Sequence, residues 1–284
     1  MANKPYVIAE IGINHNGDLD TALKLIKTAK ELGCNCVKFQ KRHPDTCVPE
    51  EQKNKIRNWK GKEMTYLEYK KDIEFEDKEY DVINAYCKAI GIDWTVSVWD
   101  VPSVEFMSYY KDDIPFIKVP SACANDDNII NAIKELIKKP IIVSDGMFTT
   151  EQFLTEVYPK YEKTNLLEAV LHTNSTYPNV NNCVDLNVLN TYKKHFNCSC
   201  NYGYSGHEVG SAATELAVAL GAKYIERHLT LDKNAEGTDH AASLNVMEFK
   251  TMMNNIEEVC NILGNYHKIS LYPGELEVMK KLRR

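Results

Sequence analysis

Eight short apolar runs, each followed by a helical pattern or a longer excursion, divide this 284-residue chain into regular units, and this alternation constrains its fold more than any other feature. The helical segments repeat apolar residues at i, i+3 and i+4, and glycines end them, as Gly91 ends the predicted helix Tyr80–Ile90. The predicted strands are Tyr6–Ile11, Cys36–Gln40, Ile92–Val98, Phe116–Val119, Pro140–Ser144, Leu166–His172, Tyr202–Ser205 and Tyr224–His228.

A series of eight β/α units is typical of a closed parallel barrel, which takes roughly 250 residues. We therefore predict the α/β class, with a single (β/α)8 TIM barrel domain over residues 1–284. An open, doubly wound sheet is the alternative, but no GxGxxG motif follows the first strand. The one long excursion between a strand and its helix, residues 44–74, is predicted to form a lid or a binding loop.

Charge and hydropathy exclude two classes of protein. The net charge of -6 argues against nucleic acid as the main partner, because binding a phosphate backbone needs a basic face. No segment approaches about 18 uninterrupted apolar residues, so we expect neither a membrane span nor an export signal. A cytoplasmic enzyme is the expectation.

The nine cysteines are expected to be reduced thiols, because their number is odd and no CxxC pair occurs. Cys34-x-Cys36 and Cys198-x-Cys200 admit a zinc interpretation, but one-residue spacing is unusual for zinc ligands. In an extended segment this spacing turns both thiols to the same face, which favours buried cysteines.

Polar residues collect at the ends of the predicted strands, where barrels of this kind place their active sites. Lys38 and Lys118 end strands two and four and are predicted to face one anionic group across the barrel mouth. Hydroxyl groups that could complete a phosphate and carboxylate cradle are those of Ser97, Ser121, Ser144 and Ser205.

Two histidines end neighbouring strands, His207 after strand seven and His228 in strand eight, so their imidazoles can share one metal ion. Glu10 on strand one lies beside strand eight in a closed barrel and is a candidate to complete this neighbourhood. A site of two imidazoles and oxygen ligands suits manganese better than it suits zinc in a closed structural site. A neutral, hydrogen-bonded histidine pair is the alternative.

These residues stand in motifs that resemble the N-acetylneuraminate (sialic acid) synthase family. The motifs, in family order between about residues 5 and 260, are Ile8-Ala-Glu10-Ile-Gly-Ile-Asn14-His15-Asn16-Gly17, Val37-Lys-Phe-Gln-Lys-Arg42, Met64-Thr-Tyr-Leu-Glu-Tyr69, Leu171-His172 before Tyr177-Pro178, and Ile225-Glu-Arg-His-Leu-Thr-Leu-Asp232 through Asp239-His240. The resemblance implies a TIM-barrel transferase that condenses phosphoenolpyruvate with an N-acetylated amino sugar such as N-acetylmannosamine. The products would be a sialic acid-type nonulosonate and phosphate.

The resemblance also assigns roles by position. His207 and His228 would hold a divalent metal, manganese first, with magnesium or cobalt as alternatives, and Glu10 would act on the attacking water. Phosphoenolpyruvate would be bound by Lys38, Ser97, Lys118, Ser121, Ser144, Ser175 and Ser205. The sugar would meet Glu10, Gln40, Tyr177 and Asp239.

Three departures from the family pattern bear on these roles. Ser205-Gly-His207-Glu stands where the family usually has Ser-Asp-His-Thr, and Asp145 adds a negative charge near the expected cradle. The chain stops at Arg284, before the small antifreeze-like C-terminal domain that in relatives reaches across a dimer and supplies an arginine to the partner's sugar site. Arg42 and Arg227 are candidates to replace that arginine; a separate chain or a different acceptor are the alternatives. The resemblance allows a homodimer.

Two other functions stay open on the sequence alone. One is a related synthase acting on a phosphorylated aldose, of the octulosonate or heptulosonate type. The other is a non-catalytic barrel that binds sugar, although that function predicts the loss of a metal histidine or an anion-binding lysine, and both kinds of residue are retained.

Overall fold

Eight parallel strands close into a barrel in the computed structural model of the protein, which describes residues 4–264, 268 and 270–283. The barrel strands are β1 (Tyr6–Gly12), β2 (Cys36–Lys41), β5 (Asp93–Val98), β6 (Ile117–Val119), β7 (Ile141–Ser144), β8 (Leu167–Thr173), β9 (Asn201–Gly206) and β10 (Tyr224–Thr230). Each strand pairs with the next in this order, and β10 pairs in parallel with β1. The predicted (β/α)8 barrel is confirmed.

Helices follow the barrel strands and cover the outside. They are α1 (Leu19–Glu31), α2 (Pro44–Cys47), α3 (Glu50–Lys53), α4 (Tyr66–Ile73), α5 (Asp77–Ile90), α6 (Val101–Met107), α7 (Asp127–Ala132), α8 (Thr150–Gln152), α9 (Tyr158–Glu162), α10 (Val188–Phe196), α11 (Ala212–Ala219), α12 (Val246–Leu263) and α13 (Pro273–Leu282). The remaining strands are β3 (Ile56–Trp59), β4 (Lys62–Thr65) and β11 (Leu244–Asn245), which extends the sheet beside β10.

All eight predicted strands occur, with ends displaced by one or two residues. The helix predicted from Tyr80 begins at Asp77, because Glu76 and Glu79 form a capping box that adds a turn before the apolar pattern starts. It ends as predicted at Gly91, whose φ of 69° lies in the left-handed region.

The barrel interior has two layers, because successive side chains of a strand alternate between its faces. The lower layer is an apolar plug of Ile8, Cys36, Phe116, Ile142, Ala169 and Leu171. Two residues further along five of these strands, the same inward face carries Glu10, Lys38, Lys118, Ser144 and Thr173. The alternate residues pack outward against the helices in the main core. The polar layer therefore rests on a dry floor at the C-terminal mouth.

The excursion over residues 44–74 is a folded unit rather than an open loop. Its strands β3 and β4 form an antiparallel hairpin, and α4 follows from a capping box of Thr65 and Glu68. Trp59, Tyr69 and Ile73 pack with Ile13 of the loop after β1 into a small core of their own. The excursion is thereby anchored beside the first two strand ends.

The nine cysteines are all free. Cys34 and Cys36 are buried, as predicted, but Cys198 is exposed while Cys200 is buried. The prediction for the second pair was wrong because Cys198 precedes β9 in a left-handed conformation with a φ of 71°, so the strand alternation does not reach it.

Candidate active site

A cleft of about 530 Å³ opens at the C-terminal mouth of the barrel, above the apolar plug. Every predicted site residue except Asp239 lines it: Glu10, Lys38, Gln40, Ser97, Lys118, Ser121, Ser144, Ser175, Tyr177, Ser205, His207 and His228. Trp99, Thr173 and Glu226 also line the cleft. The structure thus gathers residues from all eight strand ends into one cavity.

A buried ion-pair cluster forms the floor of the cleft. The Lys38 Nζ atom lies 2.7 Å from Glu10 Oε2, 3.6 Å from Glu226 Oε2 and 2.6 Å from Ser97 Oγ. Burial alone would lower the pKa of Lys38, but the two carboxylates outweigh it and raise that pKa above its ordinary value. Lys38 is therefore a firmly charged cation in a water-poor site.

The two carboxylates of the floor have pKa values shifted in opposite directions. Burial raises the pKa of Glu10, and the attraction of Lys38 does not cancel this. For Glu226 burial has the same sign, but Lys38 and Lys118 outweigh it and lower the pKa. Two acids whose pKa values are shifted in opposite directions can take different roles, one as a proton carrier and the other as a permanent anion.

Lys118 and a ring of hydroxyls form the opposite wall. The Lys118 Nζ atom lies 2.7 Å from Ser144 Oγ, and burial lowers the pKa of Lys118 to about 8. A Cβ atom on Gly146 would lie 2.4 Å from Ser175 Oγ and 2.6 Å from Ser121 Oγ. Only glycine leaves room for these two hydroxyls to converge, so the wall can donate several hydrogen bonds to one anion.

The predicted metal histidines face each other across the cleft, with ring centroids 5.4 Å apart. The Nδ1 atom of His207 lies 2.7 Å from the carbonyl oxygen of Asn174, a contact that assigns the proton to Nδ1 and leaves Nε2 as a free electron-pair donor. Burial, with His228 nearby, lowers the pKa of His207 to about 3, so this imidazole is neutral. His228 Nδ1 is buried and has no hydrogen-bond partner among the described residues.

This donor set fits a divalent ion in an open site. In the described parts of the chain, no group of three or more His, Cys, Asp or Glu side chains is already arranged around one ion position. The two imidazoles would therefore supply only part of the coordination shell, and substrate or water oxygens the rest. This is the pattern of a catalytic site rather than of a closed structural one.

The predicted sugar residues lie between the floor and the rim. Gln40 Nε2 and Glu10 Oε1 would each lie 3.1 Å from a Cβ atom on Gly12, and Asp239 Oδ2 would lie 3.4 Å from it. The loop that carries Asp239 is held by Asn14, which donates to Ser243 Oγ at 2.8 Å, while Ser243 donates to the Asp239 carbonyl at 2.7 Å. Tyr177 stacks on His207 with ring centroids 4.0 Å apart.

The structure rules out Arg227 as a sugar-site residue. Its side chain is fully buried, and Nη1 donates to Glu208 Oε1 at 2.6 Å and to Thr214 Oγ1 at 2.8 Å. Because Arg227 alternates with Glu226 and His228 along β10, it points outward, away from the cleft. A Cβ atom on Gly206 would lie 2.7 Å from Glu208 Oε2, so the Gly-His-Glu sequence makes space for this ion pair.

Asp145 does not bring its charge into the cradle as predicted. It accepts hydrogen bonds from His172 Nδ1 at 2.8 Å and from the Thr173 amide at 2.8 Å, and it also contacts the Tyr192 hydroxyl. Burial would lower the pKa of His172, but the hydrogen bond and the charge of Asp145 outweigh it and raise that pKa overall. The side chain braces β7 and β8 from outside the cleft.

Glu226 was not among the predicted site residues. Its carboxylate accepts a hydrogen bond from Ser205 Oγ at 2.9 Å and is attracted to the charges of Lys38 and Lys118. Strand periodicity could have found it, because Glu226 and His228 are two residues apart and share the inward face of β10.

A family model described as the NeuB family matches residues 25–268 of the chain. The chain belongs to the NeuB family. It is 38% identical over 283 residues to the N-acetylneuraminate-9-phosphate synthase of Mus musculus, covering 98% of this chain and 76% of that protein. It is 31% identical over 289 residues to the N,N'-diacetyllegionaminic acid synthase of Legionella pneumophila, covering 98% and 78%.

The solved N-acetylneuraminic acid synthetase of Leptospira borgpetersenii, in complex with citrate, has the same fold, with a TM-score of 0.84, 26% identity and coverage of 100% of this chain and 94% of that one. Membership of the NeuB family makes this chain a carbon–carbon bond-forming synthase of the transferase type. None of its described helices is both long and apolar enough to cross a membrane.

Proposed function

We propose that this NeuB-family synthase condenses phosphoenolpyruvate with an N-acetylated amino sugar of the N-acetylmannosamine type, giving a sialic acid-type nonulosonate and phosphate. The observation that carries the proposal is the meeting of two buried lysines, a ring of hydroxyls and a facing histidine pair in one cleft. The names of the relatives in mouse and Legionella support the N-acetylated product. They differ in whether that product carries a phosphate.

Phosphoenolpyruvate would lie between Lys38 and Lys118, with hydroxyls from both walls donating to its anionic oxygens. Lys38 is already charged in the folded protein, and Glu226 helps to keep it so. The cradle holds the enol carbon C3 toward the histidines, where the sugar aldehyde would sit. Fixing the two reactants in this way supplies much of the catalytic effect.

In the proposed reaction, C3 of the enolpyruvate bonds to the aldehyde carbon, water adds at C2, and the C–O bond to phosphate breaks. Glu10 is placed to take the proton of the water, because its raised pKa suits a group that accepts and then releases protons. His207 and His228 would hold a divalent ion, manganese first and magnesium or cobalt as alternatives, whose chemistry when bound is to polarise the aldehyde oxygen. Gln40, Tyr177 and Asp239 would orient the sugar hydroxyls.

We also propose that the enzyme works in the cytoplasm, since nine free thiols suit a reducing compartment. A homodimer is the assembly that we propose, on the family resemblance alone. The steps of the proposed reaction depend neither on the single-barrel organisation nor on a dimer.

The test is phosphate release from phosphoenolpyruvate by the purified full chain, with manganese and a panel of aldoses. Release that requires an N-acetylated hexosamine is expected, and Lys38→Met should abolish it while Lys71→Ala, on the surface, should not. Release only with a pentose or tetrose phosphate would instead support an octulosonate- or heptulosonate-type synthase. Phosphoenolpyruvate binding without release for any acceptor would support a non-catalytic barrel.

A further inference from the structure

Three cations beside the cleft have no acidic partner. Arg42, Arg57 and Lys70 have no carboxylate within 4.0 Å in the described ranges of the chain. Their sequence neighbours do: Lys41 lies 3.1 Å from Glu74, and Lys71 lies 2.8 Å from Asp45. In a protein with a net charge of -6, carboxylates are plentiful, so three adjacent unpaired cations call for an explanation.

Two of these cations are buried. Arg42 is 9% exposed, its guanidinium lies 3.9 Å from the centre of the Trp99 ring, and its Nη1 atom has no hydrogen-bond partner in the described structure. Lys70 is 8% exposed, with its Nζ atom 5.2 Å from the centre of the Tyr69 ring. Buried cations without an acidic partner are costly unless a ligand completes them.

The cations converge around the Tyr69 ring and the end of β2. The Arg57 guanidinium lies 3.7 Å from the centre of the same Tyr69 ring that faces Lys70. Burial and the nearby Arg42 together lower the pKa of Lys70 to about 8, while Asp239 opposes them. The three cations and Asp239 therefore share one electrostatic environment.

The three cations lie at the rim of the cleft, past Gln40 in the direction of β2. Arg42 follows the last residue of β2, two positions after Gln40 and four after Lys38. At about 3.3 Å per residue, Arg42 starts about 13 Å further along the strand direction than Lys38. Trp99, on which Arg42 stacks, lines the cleft itself. An acceptor whose aldehyde meets the histidines would point its other end toward these cations.

We propose that Arg42 and Lys70, flanked by Arg57, bind a phosphoryl group on the acceptor carbon remote from the aldehyde, so that the acceptor is an N-acetylhexosamine 6-phosphate. The assignment rests on the proposed condensation, because that reaction determines which end of the sugar reaches the rim of the cleft. A phosphoryl group carries a charge of about -1.5 to -2 near pH 7 and three strong acceptor oxygens, which matches a guanidinium edge and an ammonium. A neutral C6 hydroxyl would leave both cations without an anion in direct contact.

The test compares N-acetylmannosamine 6-phosphate with N-acetylmannosamine, in the wild type and in Arg42→Gln, Lys70→Met and Lys71→Ala. We expect the wild type to prefer the phosphorylated sugar in kcat/KM by about 100-fold or more, as the loss of two charged contacts implies. Arg42→Gln and Lys70→Met should each reduce kcat/KM for the 6-phosphate by about 10- to 100-fold and change that for the free sugar by less than about threefold. Lys71→Ala, the adjacent paired lysine, should match the wild type.

Equal use of both sugars by the wild type, or equal losses for both sugars in the variants, would overturn the assignment. Two substitutions at separate positions guard against one variant that fails to fold, and thermal unfolding checks each. If neither sugar releases phosphate from phosphoenolpyruvate, the proposed condensation fails, and calorimetry then decides the subsite alone. The subsite would be supported if the wild type binds the 6-phosphate more tightly than the free sugar and Arg42→Gln removes this difference. Equal binding of both sugars to the wild type would overturn it.

Discussion

The ammonium group of Lys38 lies 2.7 Å from Glu10 Oε2 inside the barrel, and both side chains are at most 3% exposed. Strands β1 and β2 place them side by side, because Glu10 and Lys38 are register partners. A buried acid and base in direct contact are stable together but costly to separate. The charge state of each residue therefore depends on the other and on Glu226, the third charged residue of the floor.

Replacing Glu10 with glutamine should reduce kcat by about 100- to 10,000-fold, the range found for a lost general acid or base. Glutamine keeps the shape and the contact to Gln40 but cannot carry the proton. Phosphoenolpyruvate affinity, followed by calorimetry, should change little because the lysines remain. A kcat near that of the wild type would exclude Glu10 as the proton carrier.

The affinity for phosphoenolpyruvate should weaken as pH rises through about 8, because Lys118 loses its charge there. Above that pH, KM for phosphoenolpyruvate should rise by up to about tenfold per pH unit. The stability effect has the opposite sign. The folded pKa lies below that of an unfolded lysine, so the folded chain binds fewer protons between these two values and its unfolding free energy rises with pH in that window. Lys118→Met should remove both pH dependences, as steady-state kinetics and urea titrations can check.

Substituting His207 or His228 with alanine should abolish manganese binding while the barrel stays folded. Each imidazole is one of only two histidine ligands that the described cleft offers, and the remaining one makes a weak site. Calorimetric titration of manganese measures the loss, and circular dichroism confirms the fold. Substitution of His240, which hydrogen-bonds Thr230 nearby, serves as a control. Unchanged manganese affinity in both variants would contradict the metal assignment.

Replacing Gly146 with alanine should raise KM for phosphoenolpyruvate by about 10- to 100-fold, because the new methyl group would displace the Ser121 and Ser175 hydroxyls. The KM for the sugar should change much less, since Gln40 and Asp239 lie on the opposite side of the cleft. Initial-rate kinetics with each substrate varied in turn separates the two effects. A larger change in the sugar KM would place the cradle elsewhere.

Replacing Arg227 with methionine should destabilise the fold by about 3–5 kcal/mol, because the Glu208 carboxylate would remain buried without its cation. Urea unfolding followed by circular dichroism measures the change. The double variant Arg227→Met, Glu208→Gln should recover part of the loss. A single-variant effect below about 1 kcal/mol would show that the pair is not needed to stabilise this side of the barrel.

The order of strands and helices was predictable because each element follows from short-range patterns. Period two in the strands and glycines after helices act within ten residues or so. The capping boxes at Thr149 and Asn245 follow the same local rule, because each has its Gln or Glu partner three residues further along the chain. Twelve predicted site residues line one cleft because the ends of parallel strands meet at one mouth.

Pairings across the barrel were not predictable in this way. The sequence predicts the charge of Asp145 near the cradle, but Asp145 binds His172 on the neighbouring strand. The sequence also offers Arg227 as a sugar-site residue, but Glu208 binds its guanidinium outside the cleft. The strand period places Glu226 on the inward face of β10, but its contact with Lys38 follows only from barrel closure. Each of these pairings depends on which charged group lies nearest after the chain has folded.

The barrel, its element order and the residue types at its mouth could be predicted from local patterns, because periodicity and turn residues act over short stretches of chain. Which charges are paired, and which are left for a ligand, follows from the folded structure. Arg42 and Lys70 remain unpaired, whereas Lys41 and Lys71, one position away, are neutralised. Adjacent residues differ because successive side chains leave a strand on opposite faces and leave a helix about 100° apart. Electrostatic energy depends on distances in space rather than along the chain.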